Sequence, residues 1–322
     1  MEYTVVIRTL GTAGEKYQRE LDSLCAQTVP PKKILVYIAE GYPIPKETCG
    51  REHYIYVKKG MVRQRALCYD EVMTDYILFL DDDVYLPPDG VENLINAMIR
   101  HNVDVISPNT FENHKMGKAT LLHNMLLGKI MPFRSETWAY KVLLSGGFSF
   151  NINPTKDFYL SESNAGPCFL CRKYDFLRIR LQDDLWLDEA PYSLPEDQVM
   201  FYKMYLAGLR IGTLFNSGIV HLDAGTSVSN NSERTNKRLY SEVRNQTIFW
   251  YKYIRPNTKG FKQLRARLAL KYYQTMRMAF ALKTALRGDY RQLKIVRHAL
   301  HDANEYIFKS TNKTSIHDCL FE

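Results

Sequence analysis

Three segments near the start of the chain, YTVVIR (Tyr3–Arg8), KILVYI (Lys33–Ile38) and YILFL (Tyr76–Leu80), are apolar at almost every position and not merely at alternate ones. A strand with one face in water alternates, so continuous apolar runs mark strands buried on both faces. Between the first two lies EKYQRELDSLCAQ, in which Leu21, Leu24 and Cys25 give a helix over Glu15 to Gln27 its apolar face, closed by Pro30-Pro31. Strand, helix and buried strand in succession predict a parallel sheet covered by helices. The same reading predicts a strand at His53–Val57, a helix over Val62–Met73, a strand over Asp75–Leu80, a helix over Val91–His101 and a strand over Val103–Ser107. The first hundred residues therefore read as one nucleotide-sized α/β unit. Between Asn109 and Asn164 the pattern is irregular and places no element. Strands are expected again at Gly166–Cys171, Arg210–Leu214 and Gly218–Leu222, with a helix over Glu196–Ala207. From Glu233 to about Leu300 the chain reads as mostly helical, interrupted at Pro256 and Gly260 and turning at Arg287-Gly288-Asp289.

The net charge of +8 suggests nucleic acid until its location is considered. From Tyr251 to Glu322 there are fifteen Lys and Arg against five Asp and Glu, so the first 250 residues carry about two net negative charges. A nucleic-acid binder would explain that basic tail but not the acidic groups described next, and no nucleic-acid partner is expected. The six cysteines are scattered, and the start MEYTVVIRTLG has neither a basic head nor a long apolar stretch. A reducing cytosol is the expected compartment. The pair Cys168-Phe-Leu-Cys171 has two readings, a zinc site or buried thiols beside a strand. With no window of eighteen apolar residues, no membrane span is expected.

The strand YILFL runs into Asp81, Asp82 and Asp83 with no basic neighbour in sequence. In an open parallel sheet ligands sit beyond the carboxyl ends of the strands, and three carboxylates placed there call for a cation. Hard oxygen ligands suit Mg2+ or Mn2+, which keep positions open for phosphate oxygens. Asp81 and Asp83 fall on the same side if the strand continues through them. The bland reading is an acidic loop before the turn at PPDG. An acidic triplet alone also fits a phosphatase or a phosphotransferase.

The order VVIRTLG, SLCAQTVPPKKILVYIAEG and GMVRQRALCYDEVMTDYILFLDDDVYLPPDGVENLI resembles the nucleotide-sugar half of inverting family 2 glycosyltransferases. Further on, LPEDQVMFYKMYLAGLRIG (Leu194–Gly212) is similar to the family's Glu-Asp motif, and RLYSEVRNQTIFWYKY (Arg238–Tyr253) to the Arg-Asn helix of members that build bacterial surface polysaccharides. The resemblance implies a GT-A fold, a Rossmann-like and mostly parallel sheet flanked by helices, with a helical C-terminal extension. It implies a nucleotide-sugar-binding half over residues 1–108, an acceptor-binding and catalytic half over 109–232, and a basic helical region over 233–322. The implied donor is a nucleotide sugar, UDP-sugars being favoured, and the implied acceptor is a saccharide or lipid-linked saccharide.

Carried to single positions, the resemblance implies that Thr9 and Leu10 border the base and that Glu40 stands where the family usually has an aspartate. Arg65 would hold the donor, Asp81 the ribose, and Asp83 the metal at the pyrophosphate; Asp82 joins the donor site without a defined role. Asp197 would be the general base and Glu196 would orient the acceptor, although Pro195-Glu196-Asp197 is also a good first turn of a helix. His221 is either a structural strand-end histidine or a second metal ligand. Arg244 either covers the pyrophosphate or pairs with a nearby acid. The family's Gln-x-x-Arg-Trp signature of processive members is absent, which argues for one sugar per encounter. Trp138, Tyr140 and Phe148 are either an acceptor platform or core, and Asp183, Asp184, Trp186 and Asp188 are expected to line the acceptor side. His114 and His123 are assigned no metal.

Leu264, Leu268, Tyr272, Met276, Phe280 and Leu282 form an apolar stripe among Arg265, Arg267, Lys271, Arg277 and Lys283. Core packing and docking on anionic lipid both explain it. The expected location is the cytoplasm, with peripheral contact to the inner face of the cell membrane. The alternatives are a noncatalytic sugar-binding or scaffold protein of the same fold and, less favoured, a nucleotidylyltransferase, for which TLGTAGEKY is too poor in basic residues.

Overall fold

The computed structural model describes residues 1–110, 117–222 and 232–318, with side chains through 311. In chain order the elements are β1 (Tyr3–Thr9), α1 (Glu15–Cys25), β2 (Lys33–Ala39), β3 (Glu52–Val57), β4 (Tyr76–Asp81), β5 (Val84–Tyr85), α2 (Gly90–His101) and β6 (Val105–Pro108). They continue as α3 (Lys118–Leu126), β7 (Ile130–Phe133), β8 (Trp138–Val142), β9 (Phe148–Asn151), β10 (Phe158–Ser161), β11 (Cys168–Arg172), α4 (Lys173–Arg178) and α5 (Glu196–Leu206). The chain closes through β12 (Ile211–Leu214), β13 (Val220–His221), α6 (Ser232–Phe249), α7 (Gly260–Ala285) and α8 (Arg291–Asp318).

One sheet runs β3-β2-β1-β4-β11-β6-β12-β10-β8-β9-β7, and β5 pairs separately with β13. The first four strands are parallel, as their continuous apolar runs require, while β11 inserts antiparallel between β4 and β6. The segment that places no element by sequence supplies β7 to β10. Each is four or five residues long and only partly buried, so none carries a legible apolar run.

Alternation along β1 decides what happens at its end. Val5 and Ile7 pack with Leu78, Leu80 and α1, whereas Val6 packs with Phe79, Phe169 and Phe201 under α5. By the same period Arg8 and Asp81, which are register partners, project on the α5 face, and Thr9 and Asp82 on the α1 face. Cys168 and Cys171, three apart on β11, enter the two different cores and are fully buried, which settles for thiols over zinc at this pair.

The helix expected over Val62–Met73 does not form. Asp188 takes the backbone N–H groups of Val62 and Arg63 at 3.1 and 3.0 Å, and one turn follows, closed by Ala66 N–H to the Val62 carbonyl at 2.7 Å. Tyr69 then turns left-handed at φ 54° so that its ring packs against Tyr37, Phe79 and Phe176. Tertiary burial of one aromatic overrides the helical period. On α7 the buried residues are Ala266, Leu270, Tyr273, Ala281 and Ala285, while Leu264, Leu268, Tyr272 and Leu282 remain exposed, so core packing does not account for that part of the apolar stripe. Among the described residues no helix is long and apolar enough to cross a membrane.

Candidate active site

The parallel strands β1, β2 and β4 end along one edge of the sheet, bringing Thr9, Leu10, Glu40 and Asp81 to it. Arg8 Nε meets Asp81 at 2.6 Å, and its Nη1 reaches Glu196 at 2.7 Å and the Met61 carbonyl at 2.9 Å. Arg65 donates from Nη1 to Glu196 at 2.6 Å and Asp197 at 2.8 Å, and from Nη2 to Asp81 at 3.1 Å and the Gly166 carbonyl at 2.6 Å. Two guanidiniums thus bind three carboxylates drawn from the end of β4 and the start of α5. Burial works to raise the Asp81 carboxyl, but Arg8 and Arg65 override it and hold it at about 2. Burial pushes Glu196 up against the pull of Arg8, with Asp197 adding to the rise.

Arg65 is only 3% exposed, and its guanidinium binds Asp81, Glu196, Asp197 and the Gly166 carbonyl. Glu196 places one oxygen between Arg8 and Arg65 and bridges them. Arg8 was missed by sequence; its signal is a lone cation in the apolar run VVIRT.

The triplet does not stay on one side, because β4 ends at Asp81 and the chain turns through Asp82 and Asp83. Asp82 accepts from the Thr9 hydroxyl on the α1 face. Burial raises its carboxyl to about 6 against that hydrogen bond, and Asp83 and Asp81 add to the rise. Asp83 is buried and lies 2.9 Å from His221 Nε2, since β13 pairs His221 with Val84 and the Leu222 N–H reaches the Asp83 carbonyl at 2.7 Å. Asp223, Gly225 and Thr226, which follow in sequence, lie outside the described residues, as does His114. His123 packs its ring on Phe280.

Helix α1 holds the loop that carries these acids. Glu20 accepts from Val84 N–H at 3.1 Å, Ser23 Oγ from Leu86 N–H at 3.3 Å, and Gln27 accepts from Val91 N–H at 3.0 Å while donating to the Pro87 carbonyl at 2.8 Å. Positions 20, 23 and 27 share one helix face, so the polar residues in SLCAQ read as a ladder. Glu20 is fully buried, and burial pushes its carboxyl well above the usual range.

Asp197 keeps 36% of its side chain exposed and opens on a cavity of about 300 Å3, lined by Tyr140, Phe148, Ala165, Leu194 and Pro195. Of the expected aromatic platform, Tyr140 and Phe148 line this cavity, while Trp138 lies under Lys141 at 4.3 Å. Gly166 closes the other side: a Cβ there would stand 2.0 Å from Asp197 Oδ1 and 2.7 Å from Arg65 Nη1. Gly166→Ala is therefore expected to lower turnover by about 100-fold, since a displacement near 1 Å at a reacting group has that effect, at a stability cost of about 1–3 kcal/mol. Steady-state kinetics beside a urea melt checks this, and wild-type turnover in the variant would contradict it.

Arg244, Asp183, Asp184 and Trp186 stand apart from this network, and Leu10 and Glu40 lie at the sheet edge beside it. Arg244 pairs with Glu189 at 2.6 Å and donates to the Trp186 carbonyl at 3.1 Å, so it leaves the donor set and takes the acid-pairing alternative. Glu40 is exposed and Leu10 half-buried, and the Glu40 backbone N–H donates to the Val57 carbonyl at 2.8 Å. Asp184, expected on the acceptor side, is instead fully buried between Lys203 at 2.6 Å and Lys252 at 3.0 Å, while Asp183 pairs with Arg180 and Trp186 is buried.

A mixed, mostly parallel sheet with an acidic triplet at the end of its fourth strand and a carboxylate pair opening the facing helix is a GT-A-like architecture. Residues 18–157 match the family model "Glycosyl transferase family 2", a span that holds the acidic triplet and Arg65 and stops before α5. Over that span, 140 of the 322 residues, the chain is similar to this family. The solved structure of S. aureus TarS, residues 1–349, is similar at 14% identity and a TM-score of 0.53, covering 94% of this chain and 80% of that one. GalNAc-T7, solved with UDP, GalNAc and Mn2+, is 12% identical at a TM-score of 0.49, covering 85% of this chain and 55% of that one. The likeness to TarS is one of fold. No curated protein matches the chain.

Proposed function

We propose that the chain transfers a sugar, with inversion, from a nucleotide-sugar donor, of which a UDP-sugar is the favoured kind, to a hydroxyl of a saccharide or lipid-linked saccharide. The observation that supports this most is the convergence on one sheet edge of the Asp83–His221 pair with Asp197, which faces an apolar cavity through the Arg65 network. Residues 1–108 would serve the donor, 109–232 the acceptor and catalysis, and 233–322 a partner or membrane contact.

A carboxylate oxygen and an imidazole nitrogen 2.9 Å apart form a donor set suited to Mn2+ better than to Mg2+, which prefers oxygen alone. When bound there, a divalent ion supplies charge stabilisation to the leaving diphosphate. Thr9, Leu10 and Glu40 would border the base and Asp81 the ribose. Asp197, held at Oδ1 by Arg65, takes the proton of the acceptor hydroxyl as that oxygen bonds the anomeric carbon and the bond to the diphosphate oxygen breaks. A single displacement from the opposite face inverts the centre. Titration of Mn2+ followed by electron paramagnetic resonance tests the ligand pair. Asp83→Asn and His221→Ala are each expected to weaken Mn2+ by about 10–100-fold, and unchanged affinity in both would refute the assignment.

The acid-free helix α7 supports contact with an anionic membrane. It carries Lys262, Arg265, Arg267, Lys271 and Lys283, and leaves Phe261, Leu264 and Leu268 exposed by 75%, 51% and 62%. Pelleting with phosphatidylglycerol vesicles is expected to fall about ten-fold in Leu264→Glu/Leu268→Glu, because a carboxylate replaces buried apolar area and meets anionic headgroups. Equal pelleting of both proteins would remove this contact from the account.

A further inference from the structure

The cavity at Asp197 has a neighbour of about 180 Å3 with which it shares Phe148, Leu194, Pro195 and Gln198. The two differ in charge. Around Asp197 the wall is mostly apolar, whereas the second cavity adds Lys129, Arg238 and Glu242. Lys129 Nζ lies 2.9 Å from Glu242, and the same carboxylate also pairs with Arg277 of α7. Arg238 stands one helical turn before Glu242 on α6 and makes no ion pair among the described residues. Three cations therefore gather around one carboxylate, and two of them line a cavity joined to the catalytic one.

The backbone places them there deliberately close. The Phe148 N–H donates to the Lys129 carbonyl at 3.0 Å, and a Cβ on Gly147 would stand 2.0 Å from that carbonyl oxygen. A glycine is thus needed for the turn carrying Lys129, just before β7, to approach the wall shared with the Asp197 cavity. Glu242 and Lys129 are 14% and 22% exposed, and burial, with Arg277 and Arg238 adding to it, pulls the Lys129 ammonium down to about 7, so an anion beside it would restore its charge. An ammonium and a guanidinium that line one cavity suit the several oxygens of a phosphate.

We infer that the acceptor of the proposed transfer carries a phosphate ester, which Lys129 and Arg238 hold in the second cavity while the acceptor hydroxyl lies at Asp197 in the first. This rests on the assignment of the Asp197 cavity to the acceptor. The phosphate belongs either to a sugar-phosphate or polyol-phosphate chain or to the diphosphate of an isoprenoid carrier, two sources with the same recognition chemistry.

Isothermal titration of the full chain in EDTA, which strips divalent ions from the donor side, tests this with inorganic phosphate, glycerol 3-phosphate and farnesyl diphosphate, and with glycerol as the neutral control. The phosphate probes are expected to bind, glycerol is not, and Arg238→Gln and Lys129→Gln should each weaken the phosphates by about ten-fold or more while Asp83→Asn changes nothing. Arg238 is exposed, so its replacement leaves the fold intact. Farnesyl diphosphate binding at least about ten-fold tighter than glycerol 3-phosphate assigns the isoprenoid source, and similar affinities assign the polyol-phosphate source. No binding by any phosphate probe, or affinity unchanged in both variants, overturns the inference. Metal-dependent hydrolysis of nucleotide sugars by the wild type is measured in parallel. A wild type that hydrolyses donor but binds no phosphate defeats this inference alone, whereas one that binds phosphate and hydrolyses no nucleotide sugar defeats the transfer assignment and the acceptor reading with it.

Discussion

Arg65→Leu is expected to destabilise the protein by about 3–5 kcal/mol and to abolish turnover, the largest effect of any single change in the site. Arg65 is buried and serves Asp81, Glu196, Asp197 and the Gly166 carbonyl together, within 2.6 to 3.1 Å. Removing it leaves Arg8 as the remaining cation for Asp81 and Glu196 and gives Asp197 no guanidinium. Leucine supplies apolar volume but no donor, and buried carboxylates without partners are far costlier than a missing hydrogen bond. Arg65→Lys keeps the charge but not the planar fork, so it should recover only part of the loss. Urea unfolding of the three proteins at pH 7 checks this. A leucine variant within about 1 kcal/mol of wild type would mean that the network is weak, contrary to its burial.

The second large effect is expected at Asp197. Asp197→Asn is nearly isosteric and can still accept from Arg65 through its amide oxygen, so the fold and the cavity should persist. A neutral amide cannot take the acceptor proton, and turnover should fall by about 100- to 10,000-fold, the range that general-base catalysis contributes. The donor KM should remain within about two-fold, because the loss is confined to the transition state. An Asn variant with a tenth or more of wild-type turnover would assign the base elsewhere. A loss appearing only in the donor KM would place Asp197 at the donor instead.

The first half of the sheet was readable in the sequence because buried parallel strands leave continuous apolar runs, and β1, β2 and β4 lie where YTVVIR, KILVYI and YILFL predict. The far half of the sheet was not, because β7 to β10 are short and only half covered, so neither periodicity nor composition distinguishes them from loop. Arg65 was legible as a site residue, but not its contacts with Glu196 and Asp197, more than 130 residues away. Arg8 was illegible for a related reason: a cation inside a strand gains meaning only from the register that sets it beside Asp81. The Val62–Met73 helix failed because Asp188 and the packing of Tyr69, both distant in sequence, decide that segment. Arg244 shows the limit of motif transfer, since the acid that claims it, Glu189, lies 55 positions earlier at the end of a 3-10 helix, Leu181–Glu189, with no signature of its own.

The account is tested most directly by release of nucleoside diphosphate from a panel of nucleotide sugars, with and without Mn2+, by wild type and Asp197→Asn. It predicts that at least one donor is turned over by wild type, that omission of the ion stops the reaction, and that the Asn variant is slower by about 100-fold or more with the donor still bound. Failure of every donor with Mn2+ present, or an Asn variant as fast as wild type, would contradict it.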